Sequence, residues 1–234
     1  MTAGSIATLA PPPLPDWFPD EAVLARMLAE HQPVYRWRRP HYIVQLLRDL
    51  ALLLPGRNCR ILDIGGGSGL VAEAIATHFP GKSVTAIDVV DRFLPSLTVE
   101  RRTFDGRTIP CADGAFDCAL FSNVLHHVPG EARVKLVAEA LRATGGACVV
   151  VKDHVADSAL DRARLAWLDF IGNLPFGGMV QATYLSGADW HELFVGADCC
   201  GERLPGLHYR TGAAALAFPN RLEVLFRLRS APHT

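Results

Sequence analysis

One stretch limits what this chain can fold into more than any other: Ile61-Leu62-Asp63-Ile64-Gly65-Gly66-Gly67-Ser68-Gly69-Leu70. An apolar run of strand length enters a turn with four glycines. A helix-periodic run of Leu70, Val71, Ala74, Ile75 and Phe79 leaves it. Glycine lets the backbone turn tightly and approach a ligand closely. The start of the next helix offers free N–H groups and the positive end of its dipole. Gly67-x-Gly69-x-x-Ala72 also satisfies a dinucleotide fingerprint, and Asp88 lies near the distance expected of a ribose-binding carboxylate. A nicotinamide-dependent oxidoreductase is therefore one reading. No Gly-Lys-Ser/Thr follows the glycines, which sets a Walker A loop aside. Asp63 favours another ligand, because a carboxylate beside the loop repels a pyrophosphate and attracts a cofactor with an ammonium group.

Around this loop, strand and helix patterns alternate. Residues 60–64, 84–88, 99–104, 117–121 and 147–151 read as strands. The helix carrying Val134, Val137, Ala138 and Leu141 ends at Gly145-Gly146. Such βαβ alternation predicts a parallel sheet with right-handed crossovers. Upstream, residues 1–19 are rich in Pro and Ala and read as a flexible or loosely docked arm. Residues 20–56 read as two helices, the first capped by Asp20 and the second ended by Pro55-Gly56. Downstream, residues 157–172 have helical spacing, and Ser186 to Asp189 has capping-box spacing before another helix. Leu222 to Leu228 alternates as a strand.

The pattern Asp63-x-Gly65-x-Gly67-x-Gly69 resembles the first motif of class I methyltransferases, which bind S-adenosylmethionine. The resemblance continues in order through residues 60–152. Asp88 matches the acid at the end of the family's second strand, and Phe104-Asp105-Gly106 its segment after the third. Residues 109–117 are similar to the entry to the fourth strand, with Cys111 where the family often has an apolar residue, and residues 122–128 to its exit. The resemblance implies a Rossmann-like, doubly wound, seven-stranded sheet in a domain spanning 57–234. Five strands come from residues 60–151 and two from the tail, with the last antiparallel. It implies S-adenosyl-L-methionine as cofactor, held by Asp63, Gly65, Gly67, Asp88, Val89, Asp105, Gly106 and Asn123. Asp88 would take both ribose hydroxyls, and Asp105 the adenine amino group.

In open α/β sheets, ligands sit beyond the carboxyl ends of the strands. That places Asn123 to His127 and Lys152 to His154 near the acceptor. A cap is expected from residues 154–186, with Trp167, Phe170, Phe176, Met179, Tyr184 and hinge-like Gly172, Gly177 and Gly178, together with the N-terminal helices. It would enclose a small, partly apolar molecule. Methyl transfer gains most from alignment and exclusion of water. A base is needed only where the acceptor loses a proton, and His126 and His154 are the candidates for it, with His127 assigned to structure.

The chain carries a formal net charge of −1, which gives no sign of a nucleic-acid-binding face. Arg36, Arg38 and Arg39 read as a solvated helix edge, with one arginine in reach of the cofactor carboxylate. Asn173-Leu174-Pro175-Phe176 is superficially similar to a nucleic-acid amino-methyltransferase motif but lies in the wrong loop. The six cysteines lack metal-ligand spacing, so no metal is expected, and Cys118 and Cys148 read as buried structural thiols. There is no pattern of a secretory signal or membrane span, and a cytoplasmic enzyme is expected. A non-catalytic subunit that binds the same cofactor is a third reading. Oligomeric state is not legible.

Overall fold

The computed structural model describes residues 13–37, 39–56, 58–173, 181–204 and 208–232. Residues 1–12 of the arm, Arg38, and Phe176, Gly177, Gly178 and Met179 of the expected cap lie outside them, as does the 174–176 part of the superficial amino-methyltransferase motif.

The chain begins with helices α1 (Glu21–His31) and α2 (His41–Leu53). Strand β1 (Cys59–Ile64), helix α3 (Leu70–His78), strands β2 (Lys82–Asp88), β3 (Glu100–Thr103) and β4 (Cys118–Ser122), helix α4 (Gly130–Ala143) and strand β5 (Val149–His154) follow. Then come α5 (Ala159–Asn173), α6 (Gly187–Gly196), β6 (Cys199–Arg203), α7 (Gly212–Ala217) and β7 (Glu223–Ser230). The seven strands form one sheet in the order β3-β2-β1-β4-β5-β7-β6. The first five pair in parallel, and β7 runs antiparallel to both β5 and β6. The tail strand expected over residues 222–228 is thus β7, lying inside the sheet with β6 at its edge.

Period-two alternation divides the apolar residues between two layers. Ile61, Val84, Leu120 and Val150 face a core shared with Leu24 and Leu28 of α1, Leu47 and Leu50 of α2, and Ile75 of α3. Leu62, Ile87, Phe121 and Val151 face a second core with Leu136 and Val137 of α4 and Trp190 of α6. Both faces of β5 are covered, so all six of its residues are buried. β3 has the opposite character. Its Glu100-Arg101-Arg102-Thr103 is exposed throughout, and charged side chains discourage further pairing at this edge.

The expected cap box at α6 is present, since Ser186 Oγ accepts from the Asp189 N–H (3.2 Å) and Asp189 Oδ2 accepts from the Ser186 N–H (2.8 Å). Asp20 occupies the N-cap position of α1 but makes no side-chain cap; its carbonyl alone accepts from Val23 and Leu24. The arm is tied down at Trp17, whose ring lies 5.0 Å from that of Phe79. Cys118 and Cys148 are buried neighbours on adjacent strands, with their sulfurs 3.2 Å apart. No helix among the described residues is long and apolar enough to cross a membrane.

Candidate active site

A cleft of about 660 Å³ opens at the carboxyl ends of β1, β2 and β4, where a doubly wound sheet binds its ligands. Gly65, Gly67, Asp88, Val89, Asp105, Gly106 and Asn123 all line it. Gly65 has φ +73°, and a Cβ there would stand 2.6 Å from a methyl of Val124, so only glycine lets the chain turn at this point. Gly67 has φ +57°, and a Cβ built on it meets nothing within 4 Å, which leaves an open cradle at the loop's crest.

Two carboxylates support the loop in different ways. Asp88 is 3% exposed; its Oδ2 accepts from the Gly67 N–H at 2.8 Å and its Oδ1 from the Val90 N–H at 3.1 Å. It holds the glycine crest in place while still facing the cleft. Asp63 does not line the cleft. It lies beneath the loop, 2% exposed, and its Oδ2 has no hydrogen-bond partner. Burial, and then the charge of Asp88, pushes its pKa up to about 7. A buried carboxylate without a partner, under an open glycine cradle, suits a cofactor bearing a positive amino group.

Asp105 is exposed, and its Oδ1 accepts from the N–H groups of Arg107 and Thr108, both at 2.8 Å. It therefore shapes its own turn, and these bonds hold its pKa below the usual carboxylate range. Arg92 is a lining residue that sequence reasoning missed, with Nη2 3.7 Å from Asp88 Oδ1. Gln32 and Tyr35 bring the N-terminal region into the same wall.

The histidines depart from expectation. Residues 125–127 form a single 3₁₀ turn, in which successive side chains diverge by about a third of a revolution. His126 turns inward and is 1% exposed. Its Nδ1 lies 2.5 Å from Asp153 Oδ1 and its Nε2 3.3 Å from Asp169 Oδ2. Burial alone would lower its pKa, but Asp153 and Asp169 outweigh this and push it up to about 9. His154 is 3% exposed, with Nδ1 3.1 Å from Glu223 Oε2. Neither is among the described residues that line the cleft, which corrects the expectation that one or the other faces an acceptor. Their buried carboxylate partners draw them into the interior.

His127, assigned to structure from sequence, is the histidine on the cleft wall. Its Nδ1 lies 2.7 Å from the carbonyl of Gln181. A carbonyl can only accept, so Nδ1 carries the proton and Nε2 keeps the lone pair. Burial and the neighbouring His126 hold its pKa below the ordinary value.

Behind Asn123 lies a buried network. Asn123 has φ +57°. Its Nδ2 donates to the Tyr42 hydroxyl (2.7 Å) and its Oδ1 accepts from Lys152 Nζ (2.8 Å). Lys152, fully buried, also donates to Tyr42 and Glu223, and its ammonium stands over the rings of Tyr42 and Tyr209 at 4.7 and 4.8 Å. Burial would lower the lysine pKa, but Glu223 outweighs it and the net direction is upward. Burial pushes the Tyr42 hydroxyl up to about 12, so it remains a hydroxyl. This network ties α2, β5 and β7 to the cleft floor through Asn123.

Comparison with known proteins agrees with this architecture. Residues 62–150 match a family model described as a methyltransferase domain. A ubiquinone biosynthesis O-methyltransferase of Cereibacter sphaeroides is 33% identical over 104 residues, covering 38% of this chain and 41% of the relative. One of Roseobacter denitrificans is 32% identical over 108 residues, covering 42% and 43%. The matches thus span about two fifths of the length of these curated relatives. Among solved structures, the YcgJ protein of Bacillus subtilis superposes with a TM-score of 0.59 at 15% identity, covering 81% of this chain and 99% of that one. A possible histamine N-methyltransferase of Thermotoga maritima gives 0.56 at 18%, covering 89% and 99%. At such identities the superpositions speak for the fold. Sheet order, glycine loop and domain match agree: residues 62–150 match a methyltransferase domain, set in a seven-stranded sheet whose fold a solved methyltransferase structure shares.

Proposed function

We propose that this protein transfers a methyl group from S-adenosylmethionine to a hydroxyl oxygen of a small, partly apolar molecule. The observation that carries the proposal is the pairing of two features on one cleft: an unpartnered carboxylate beneath an open glycine crest, and a histidine with a free Nε2 on the wall beyond β4. The names of the O-methyltransferase relatives support an oxygen acceptor.

When bound, S-adenosylmethionine supplies an electrophilic methyl carried on a sulfonium. Asp63, Gly65 and Gly67 would hold its amino-acid end, Asp88 and Val89 the ribose, and Asp105 and Gly106 the base. Asn123, locked by Tyr42 and Lys152, would set the floor of the cleft near the acceptor. His127 Nε2 would take the hydroxyl proton, with Nδ1 anchored on Gln181 so that the ring presents one face and one tautomer. The remaining contribution is alignment in a partly closed, apolar site.

The reading is tested by incubating the protein with S-adenosylmethionine and a panel of hydroxylated metabolites, with mass spectrometry seeking the gain of one methylene. Calorimetry runs in parallel. Tighter binding of NAD than of S-adenosylhomocysteine would favour the oxidoreductase reading, and cofactor binding without product from any acceptor would favour the non-catalytic one.

A further inference from the structure

A second cluster of donor groups lies behind the cleft wall, outside the proposed chemistry. One nitrogen each of His126 and His154 and one oxygen of Asp169 lie within 4.8 Å of one another, and all three residues are buried. They come from three separate elements: the turn after β4, the end of β5, and α5. We propose that His126, His154 and Asp169 form a binding site for a divalent first-row transition ion of the zinc type.

The chemistry of the donors points that way. Two imidazoles and one carboxylate are borderline ligands that suit zinc and its neighbours better than calcium or magnesium, which take oxygen donors. Four ligands about 2.0–2.1 Å from a tetrahedral ion stand roughly 3.3 Å from one another. The 3.3 Å between His126 Nε2 and Asp169 Oδ2 fits one edge of such a tetrahedron. His126 Nε2 makes no hydrogen bond here, although it is buried, and it is aimed at the carboxylate.

The surroundings of the cluster match how metal-binding histidines are held. A coordinating imidazole commonly has a carboxylate behind its other nitrogen, fixing tautomer and ring direction. Asp153 stands 2.5 Å behind His126 Nδ1, and Glu223 stands 3.1 Å from His154 Nδ1. Asp169 is steadied from its own side, since the Tyr184 hydroxyl donates to Oδ2 at 2.5 Å. His126 thus has one nitrogen beside a carboxylate and the other in the shared space. An ion there would clip α5 to the ends of β4 and β5. A proton on His126 Nε2, directed at Asp169, is the rival occupant of the same gap.

Metal uptake separates the two. Tag-free, full-length protein, stripped with a chelator, is titrated with Co²⁺ and, separately, with Zn²⁺ followed by dialysis and elemental analysis. The expected result is about one ion per chain, with the visible absorption of tetrahedral cobalt, because a preorganised trio binds a single ion. Asp169→Asn, nearly isosteric and still able to meet Tyr184, and His154→Gln should each lose the cobalt spectrum while binding S-adenosylhomocysteine as the wild type does. Wild-type protein that takes up neither ion overturns the proposal, and this arm does not depend on any variant folding. Cobalt bound equally by wild type and both variants also overturns it, since the ion would then sit elsewhere.

Discussion

The two walls of the cleft are built from different materials. The wall over β1 and β2 is mostly backbone: glycines in positive-φ conformations and amide groups, with Asp63 beneath the loop and Asp88, at the end of the next strand, bonded to Gly67. The wall beyond β4 is made of side chains fixed by partners far along the chain. His127 is anchored on Gln181, Asn123 on Tyr42 and Lys152, and Lys152 on Glu223. A backbone wall is specified by local residue types and can be shared by many proteins that bind one cofactor. A side-chain wall is specified by tertiary packing and can be changed one residue at a time, which suits the half of the site that chooses the acceptor.

Substitution on each wall should expose that division. The largest effect is expected at His127. His127→Ala should lower single-turnover methylation by about 10²–10⁴-fold, the usual contribution of a general base, while leaving the dissociation constant of S-adenosylhomocysteine unchanged. A wild-type rate in this variant would reduce the wall to positioning alone. Next is Asp88→Ala on the opposite wall. Hydrogen bonds to a charged group contribute about 1.5–3 kcal/mol each, so losing two should weaken cofactor binding by about 100-fold or more. Calorimetry that finds no change would remove the ribose role.

A smaller effect is expected from Asp63. Its pKa in the free protein is raised to about 7, so it is largely protonated below that pH. A cofactor ammonium favours the ionised form, so the complex holds fewer protons than the free protein. Affinity for S-adenosylhomocysteine should therefore be flat above about pH 7 and fall by up to about tenfold per pH unit below it. Calorimetry across this range should show that slope in the wild type and none in Asp63→Asn. The smallest effect lies outside both walls. Ser186→Ala removes the cap of α6 and should cost about 1 kcal/mol, read as a melting temperature lower by roughly 2–4 °C, with turnover unaffected.

The same division explains what could be read from the chain alone. The loop wall was legible because Asp63, Gly65, Gly67 and Gly69 announce themselves within seven residues, and Asp88 follows at strand-and-helix spacing. The strands followed from alternation, and the Ser186 box from its spacing. The histidines were not legible. Adjacent His126 and His127 diverge on their turn, but which one points inward is decided by Asp153 and Asp169, and Asp169 lies 43 positions beyond His126 with nothing local to mark it. The Lys152 network was hidden for the same reason, since Tyr42 precedes it by 110 residues and Glu223 follows by 71. Arg92 carried no signal beyond being a charged residue after β2. Asp20 misled because its backbone alone satisfies the start of α1.

The position of β7 has a consequence for the order in which the molecule can be made. β7 lies between β5 and β6, so its residues are needed to join β6 to the rest of the sheet. As the chain leaves the ribosome, residues through 154 can pair among themselves, but the open flank of β5 stays unpaired until residues 223–230 emerge. Glu223 arrives on that same strand, so Lys152 waits for its counter-charge, and His154 for its carboxylate neighbour, until then. The backbone wall can form early in synthesis, and the side-chain wall only once β7 is in place. A nascent chain halted before β7 would display an apolar strand edge to the cell, the kind of surface that chaperones bind and that invites wrong pairing.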